Sequence, residues 1–83
     1  MILILKENRN LSVEGCLLPI TYRLYLEEGG YAVDVKNERT GETVRIQDLT
    51  TKPETARTFF NRVVQGMATP VTLQDLAEDF LAE

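Results

Sequence analysis

Four carboxylates, Asp75, Glu78, Asp79 and Glu83, fall within the last nine residues of this chain. On a helix, carboxylates three or four positions apart come within reach of one hard cation. The run has none of the loop spacing of an EF-hand, so it reads as the solvated face opposite an apolar stripe, and no metal is assigned. Histidine is absent, which removes imidazole bases, histidine metal ligands and Ser-His or Cys-His nucleophile pairs. Cys16 is the single cysteine, set among Gly15, Leu17 and Leu18. With no cation beside it to lower its pKa, it is expected to be a buried structural thiol rather than a nucleophile. The five glycines are scattered and form no phosphate-cradling run. No catalytic residue and no cofactor is therefore assigned.

The remaining chemistry is a set of cations on strand-forming sequence. Arg23, Lys36 and Arg45, with Tyr25 nearby, belong to segments whose apolar residues alternate. Tyr22, Leu24 and Leu26 interleave with Arg23 and Tyr25, and Tyr31, Val33 and Val35 interleave with Asp34 and Lys36. A period of two makes half-buried strands. Gly29-Gly30 is the expected two-residue turn, pairing Leu26 with Val33 and Leu24 with Val35. A second turn of two residues (Thr40-Gly41) or four (Arg39 to Glu42) sets Val35 opposite Ile46. These registers place Arg23 opposite Lys36 and Lys36 opposite Arg45, a row of three cations across three strands. Like charges directly opposite are mildly destabilising, so the row calls for an explanation. Three compete: diagonal neutralisation by Glu27, Asp34 and Glu38, docking of an acidic protein surface such as another copy's terminal helix, or binding of single-stranded nucleic acid with Tyr25 as a stacking platform.

The period then changes to that of a helix. Thr51 and Glu54 suggest a capping box with Pro53 in the first turn. Ala56, Phe59, Phe60, Val63, Val64 and Met67 form one apolar stripe that Gly66 should end. A final helix is expected from Thr72, with Leu73, Leu76, Ala77, Phe80 and Leu81 on its apolar side. The gap of about six residues, Gly66 to Val71, is longer than a helix-turn-helix turn, and the last helix has acids and no lysine or arginine. DNA contact through these helices is thus not expected. "MILIL" is too short for a membrane span or a signal peptide and reads as a first strand. Residues 11 to 19 lack a clear period and are open to a short strand, a covering loop or an oligomer contact.

The expected architecture is a single α+β domain over residues 1–83, in two layers. It comprises an N-terminal strand and irregular segment (1–19), an antiparallel β-meander of three to five strands with its hairpins at 20–48, and two C-terminal helices (51–83) packed on one face. Thirteen acidic and nine basic residues give a net charge of −4. It is shared evenly, eight acids against six bases in residues 1–50 and five against three in 51–83, so neither half is a nucleic-acid tail.

"YRL", "YAVDV" from Tyr31, "VRIQDLT" from Val44 and "TPVTLQDLAEDFL" from Thr69 together resemble a family of short bacterial proteins of clostridial-type Firmicutes known only as a domain of unknown function. The resemblance spans about residues 20–82 and implies strands followed by a helical pair. It implies no activity, substrate or site residue. The functional expectation is a non-enzymatic cytoplasmic accessory or regulatory module that binds another protein or a second copy of itself, through Arg23, Tyr25, Lys36 and Arg45 on the sheet or Asp75, Glu78 and Asp79 on the last helix. The alternative is single-stranded nucleic-acid binding by the sheet face.

Overall fold

Alternation along four segments produces four strands, and the computed structural model describes them within residues 1–82. They are β1 (Ile2–Val13), β2 (Cys16–Glu27), β3 (Gly30–Asn37) and β4 (Thr43–Thr50), followed by α1 (Pro53–Gln65) and α2 (Pro70–Ala82). The sheet is an antiparallel meander in the order β1-β2-β3-β4. The fold is therefore the expected α+β arrangement, with the helices on one face of the sheet.

The segment without a clear period belongs to the first hairpin. β1 continues to Val13, opposite Cys16, and Glu14 and Gly15 form the turn at φ 49° and 80°. Two positive φ values in a two-residue loop match the right-handed twist of the strands. Cys16 sits at the tip of this ribbon and is exposed, contrary to the buried thiol expected, because β3 stops at Asn37 opposite Ile20 and nothing covers the strands beyond. Pro19 is tolerated in β2 for the same reason. Its carbonyl accepts from Glu38 N–H at 2.9 Å, so its missing N–H points to the side where the ladder with β3 ends.

Both later hairpins keep the expected face but slip by two residues. Leu26 lies opposite Tyr31, Leu24 opposite Val33 and Tyr22 opposite Val35, so the turn residues are Glu28 and Gly29 rather than Gly29 and Gly30. Moving a two-residue loop by one position changes the register by two and leaves every side chain on its face, so the apolar pattern cannot choose between them. Packing against the end of β4 does. A Cβ on Gly29 would collide with the Asp48 carboxylate, and one on Gly30, at φ 137°, would lie 2.7 Å from the Thr50 carbonyl oxygen. In the next hairpin Val35 faces Val44 and Val33 faces Ile46, not Val35 with Ile46. Here the turn starts at Asn37, whose side-chain oxygen accepts from Arg39 N–H at 3.0 Å. Asparagine closes such turns through its own side chain. β4 then bulges: Val33 pairs with Ile46 but Tyr31 with Thr50. Asp48 in the bulge takes φ 52°, and Leu49 is turned into the core at 4 % exposure.

The helices cover the apolar face. Tyr22, Leu24, Val33 and Val35 from the sheet are fully buried against Ala56, Phe59, Phe60, Val63, Leu73 and Ala77. The Phe59 and Phe80 rings meet at 5.0 Å between centroids, a distance at which tilted aromatic pairs attract. Tyr22 Oη donates to the Ala68 carbonyl at 2.8 Å, which ties the sheet to the interhelical linker. No capping box forms at Thr51: the N-cap of α1 is Lys52, without a side-chain cap, and Pro53 opens the helix. Thr50 Oγ1 instead accepts from Lys52 N–H at 3.1 Å, so the entry is held one residue earlier. α1 ends at Gly66 as expected, but the left-handed residue is Met67 at φ 49°. Met67 and Ala68 donate their N–H groups back to Val64 O and Val63 O, both at 3.1 Å, the hydrogen-bond pair of a Schellman close. That reversal leaves Met67 exposed at 44 % rather than in the core.

α2 begins two residues earlier than expected. Pro70 takes the first helical position, the Thr69 carbonyl accepts from Leu73 N–H at 3.1 Å, and the Thr69 N–H donates to Thr72 Oγ1 at 3.0 Å. The linker is thus Gly66–Thr69, four residues, which a helix-turn-helix could use. Linker length therefore gives no argument against DNA.

Candidate protein-binding face

Along β2, β3 and β4, alternation fills one face of the sheet with apolar groups and sends the charges to the other, where no helix packs. Across the strands on this outer face Lys6 lies opposite Arg23, Arg23 opposite Asp34 and Asp34 opposite Arg45. The expected contiguous row of Arg23, Lys36 and Arg45 is corrected: the two-residue slips place Asp34 between the arginines and move Lys36 one step along, opposite Thr21 and Thr43. Attraction replaces repulsion at the centre of the face. Arg23 Nη1 stands 3.9 Å from Asp34 Oδ1, Arg45 Nη2 3.2 Å from Glu27 Oε1, and Lys36 Nζ 3.7 Å from Glu38 Oε2. Each of the three proposed cations has an acid within ion-pair range.

Asp34 is the most constrained of these groups, at 6 % exposure. Burial pushes its carboxyl above the ordinary value, against the pull of Arg23, Arg45 and Lys36. Desolvation penalises the charged form, and the cations offset it only in part. Glu38 shifts the other way, chiefly because Thr21 donates a hydrogen bond to it. The Thr21 hydroxyl, itself buried, lies 2.9 Å from Glu38 Oε1 and 3.0 Å from Asn8 Oδ1. Beside this contact runs an open groove of about 360 Å³ lined by Lys6, Asn8, Asn10, Pro19, Thr21 and Glu38 among others.

At the other end of the face the Arg45 guanidinium covers the Tyr25 ring, 4.8 Å from its centroid, and donates to Met1 Sδ at 3.3 Å. Such stacking is attractive, but it also occupies the ring surface on which a base would stack. Among the described residues, the buried side-chain polar atoms without a hydrogen-bond partner are Glu27 Oε1, Asp34 Oδ1 and Arg45 Nε. All three stand on this face, on adjacent strands β2, β3 and β4. The Glu27–Arg45 and Asp34–Arg23 ion pairs are close in charge but not aligned as hydrogen bonds, which leaves these atoms with unmet capacity.

Asp75, Glu78 and Asp79 are exposed on α2, in the layer on the opposite side of the sheet, so the fold does not join them to the sheet residues. Glu83 lies outside the described residues. No group of three or more Cys, Asp and Glu among the described residues could hold a metal ion. Asp79 lines a small cleft of about 80 Å³ between the helices with Phe59, Leu76 and Phe80, where Arg62 stacks 5.2 Å from the centre of the Phe80 ring.

Glu27 and Asp34 are named in the sequence only as acids that neutralise the cations, with Glu38, and the structure pairs all three acids with Arg45, Arg23 and Lys36; Thr21 is not singled out there. Asp34 carries a signal in retrospect, as a charged residue inside "YAVDV" with apolar residues on both sides. Thr21 carries none, because its hydroxyl matters only through Asn8 and Glu38, which are distant in sequence. Comparison with protein-family models, curated proteins and solved structures finds no match. None of the described helices is long and apolar enough to cross a membrane.

Proposed function

We propose that this chain is a non-enzymatic accessory or regulatory module of the cytoplasm that binds another protein through the outer face of its sheet. The observation that carries the reading is the cluster of buried polar atoms on Glu27, Asp34 and Arg45 that have no hydrogen-bond partner, two of them held only in ion pairs, in a face that no element of the chain covers. Backbone or side-chain groups of a partner would supply the missing hydrogen bonds in a dry contact, where charge-assisted bonds are strongest. Alternating charge favours a protein of mixed sign over a polyanion: the cations are already paired, and Tyr25 is already stacked on Arg45. The same reasoning keeps DNA away from the helices, since α2 presents Asp75, Glu78 and Asp79 and has no basic residue.

The test is affinity capture from source-cell lysate with three forms of the protein: native, Arg23→Glu/Lys36→Glu on the sheet, and Asp75→Lys/Glu78→Lys on α2. Circular dichroism confirms that each is folded. One partner held by the native and helix-substituted forms and lost from the sheet-substituted form is the expected result. Retention by the sheet-substituted form would move the site elsewhere. Titration with single-stranded oligonucleotides at low salt is expected to be flat, and saturable binding lost on Tyr25→Ala would replace protein with nucleic acid as the partner.

A further inference from the structure

The sheet has two edges, β1 and β4, and β1 is the one the helices contact less. Its outer side presents backbone donors and acceptors that no strand of the chain pairs, the usual template for adding a strand; the Asn8 carbonyl among the β1 backbone groups accepts from Arg9 Nη1 at 2.9 Å. The helices make their main contacts with β2, β3 and β4 and leave β1 beyond their cover. At its start Met1, Ile2 and Leu3 are 72 %, 59 % and 49 % exposed. Its pairing with β2 is irregular only between Leu3 and Leu5 and runs evenly from Leu5 to Val13.

We infer that β1 pairs antiparallel with β1 of a second copy about a two-fold axis through Asn8, joining two meanders into one continuous eight-stranded sheet. The inference adds a partner to the preceding proposal and does not rest on it. A two-fold axis perpendicular to the sheet keeps each face on its own side, so opposed residues must share a face and the allowed registers differ by steps of two. Centred on Asn8, the pairing sets Glu7 opposite Arg9 of the second copy and Arg9 opposite its Glu7. On the same face Leu5 meets Leu11, both already half-buried against the core, while on the outer face Lys6 meets Asn10. Neighbouring registers fail. Centring on Glu7 opposes two glutamates and puts Leu5 against Arg9, and centring on Arg9 opposes two arginines and puts Glu7 against Leu11. Opposed like charges destabilise a strand pair and opposed unlike charges stabilise it, so the sequence of β1 selects one alignment. Within one copy Arg9 Nη1 and Glu7 Oε2 are 2.9 Å apart with both side chains more than 40 % exposed, so the groups that would cross the interface are within reach of it.

Sedimentation of the full chain across a concentration series tests this with single charge reversals. The native protein is expected to form a dimer. Glu7→Arg opposes arginines and Arg9→Glu opposes glutamates, so each alone is expected to be monomeric at concentrations where the native protein is dimeric. An equimolar mixture of the two restores both opposite-charge contacts and is expected to sediment as a dimer, which also shows that neither variant is unfolded. A native protein that stays monomeric up to millimolar concentration, or single variants that dimerise as the native protein does, would overturn the inference. Loss of a lysate partner from the Arg23→Glu/Lys36→Glu form with dimerisation unchanged separates this edge from the outer face.

Discussion

Ala32 and Val33 are neighbours on β3, both with no exposed surface, and they are buried by different means. Val33 lies under the helices, in an apolar layer filled by Phe59, Phe60, Val63 and Leu73. Ala32 lies on the other face, opposite Tyr25, whose ring the Arg45 guanidinium covers. Apolar burial is non-directional and gains with every contact. Burial by charged side chains is directional, and here it leaves atoms of Glu27, Asp34 and Arg45 without hydrogen bonds. The contrast assigns stability to the inner face and sets apart the outer face, through which we propose that a partner binds.

Substitution of the inner face should therefore cost most. Phe59→Ala removes a ring at 1 % exposure that also stacks on Phe80. The expected loss is about 3–5 kcal/mol in urea unfolding, enough to threaten a domain of this size. Tyr25→Ala on the outer face should cost less than half as much. Equal losses would erase the distinction between the faces. Next in size is the polar link in the apolar layer: Tyr22→Phe leaves the Ala68 carbonyl without its 2.8 Å donor. The expected loss is about 1–3 kcal/mol, with the sheet intact by circular dichroism. A neutral result would mean that the linker carbonyl finds water and that the hydroxyl does not hold the helices to the sheet.

Face assignments were legible in the sequence because alternation sets them locally: Tyr22, Leu24, Val33 and Val35 were readable as core, as were Phe59, Phe60 and Val63. Which residue faces which was not. Two-residue slips conserve every face, and the choice between them depends on Asp48 and Thr50 packing against Gly29 and Gly30, contacts between residues about twenty positions apart. That slip decided the chemistry of the candidate site, exchanging a row of three cations for an arginine–aspartate–arginine row. The fate of Met67 was equally hidden. Its spacing continues the stripe of α1, but it holds the left-handed position of the helix close, and the chain turns it outward. Cys16 and Asn8 gained their places, a ribbon tip and the middle of an open edge, from where the neighbouring strands stop.

The smallest expected effect separates the faces by its sign. Asp34 is an acid whose folded-state pKa burial raises, so between its ordinary value and that raised value the folded protein binds more protons than the unfolded chain. Stability then falls as pH rises through this window, because slope follows the difference in bound protons, and it is recovered as the pH is lowered toward the ordinary carboxylate value. Glu38 works in the opposite direction, since hydrogen bonding from Thr21 lowers its pKa, and its contribution is lost on acidification. Overall acid unfolding would mask Asp34, but Asp34→Asn removes that one titration and leaves Glu38 in place. The native-minus-variant difference in unfolding free energy is expected to grow more favourable to the native protein as pH is lowered from 7 toward 4. A flat difference would mean that Arg23, Arg45 and Lys36 fully offset the burial of the carboxylate. A difference that falls on acidification would make Asp34 a stabilising ion pair, and the outer face would then hold the sheet together by charge much as the inner face does by apolar contact.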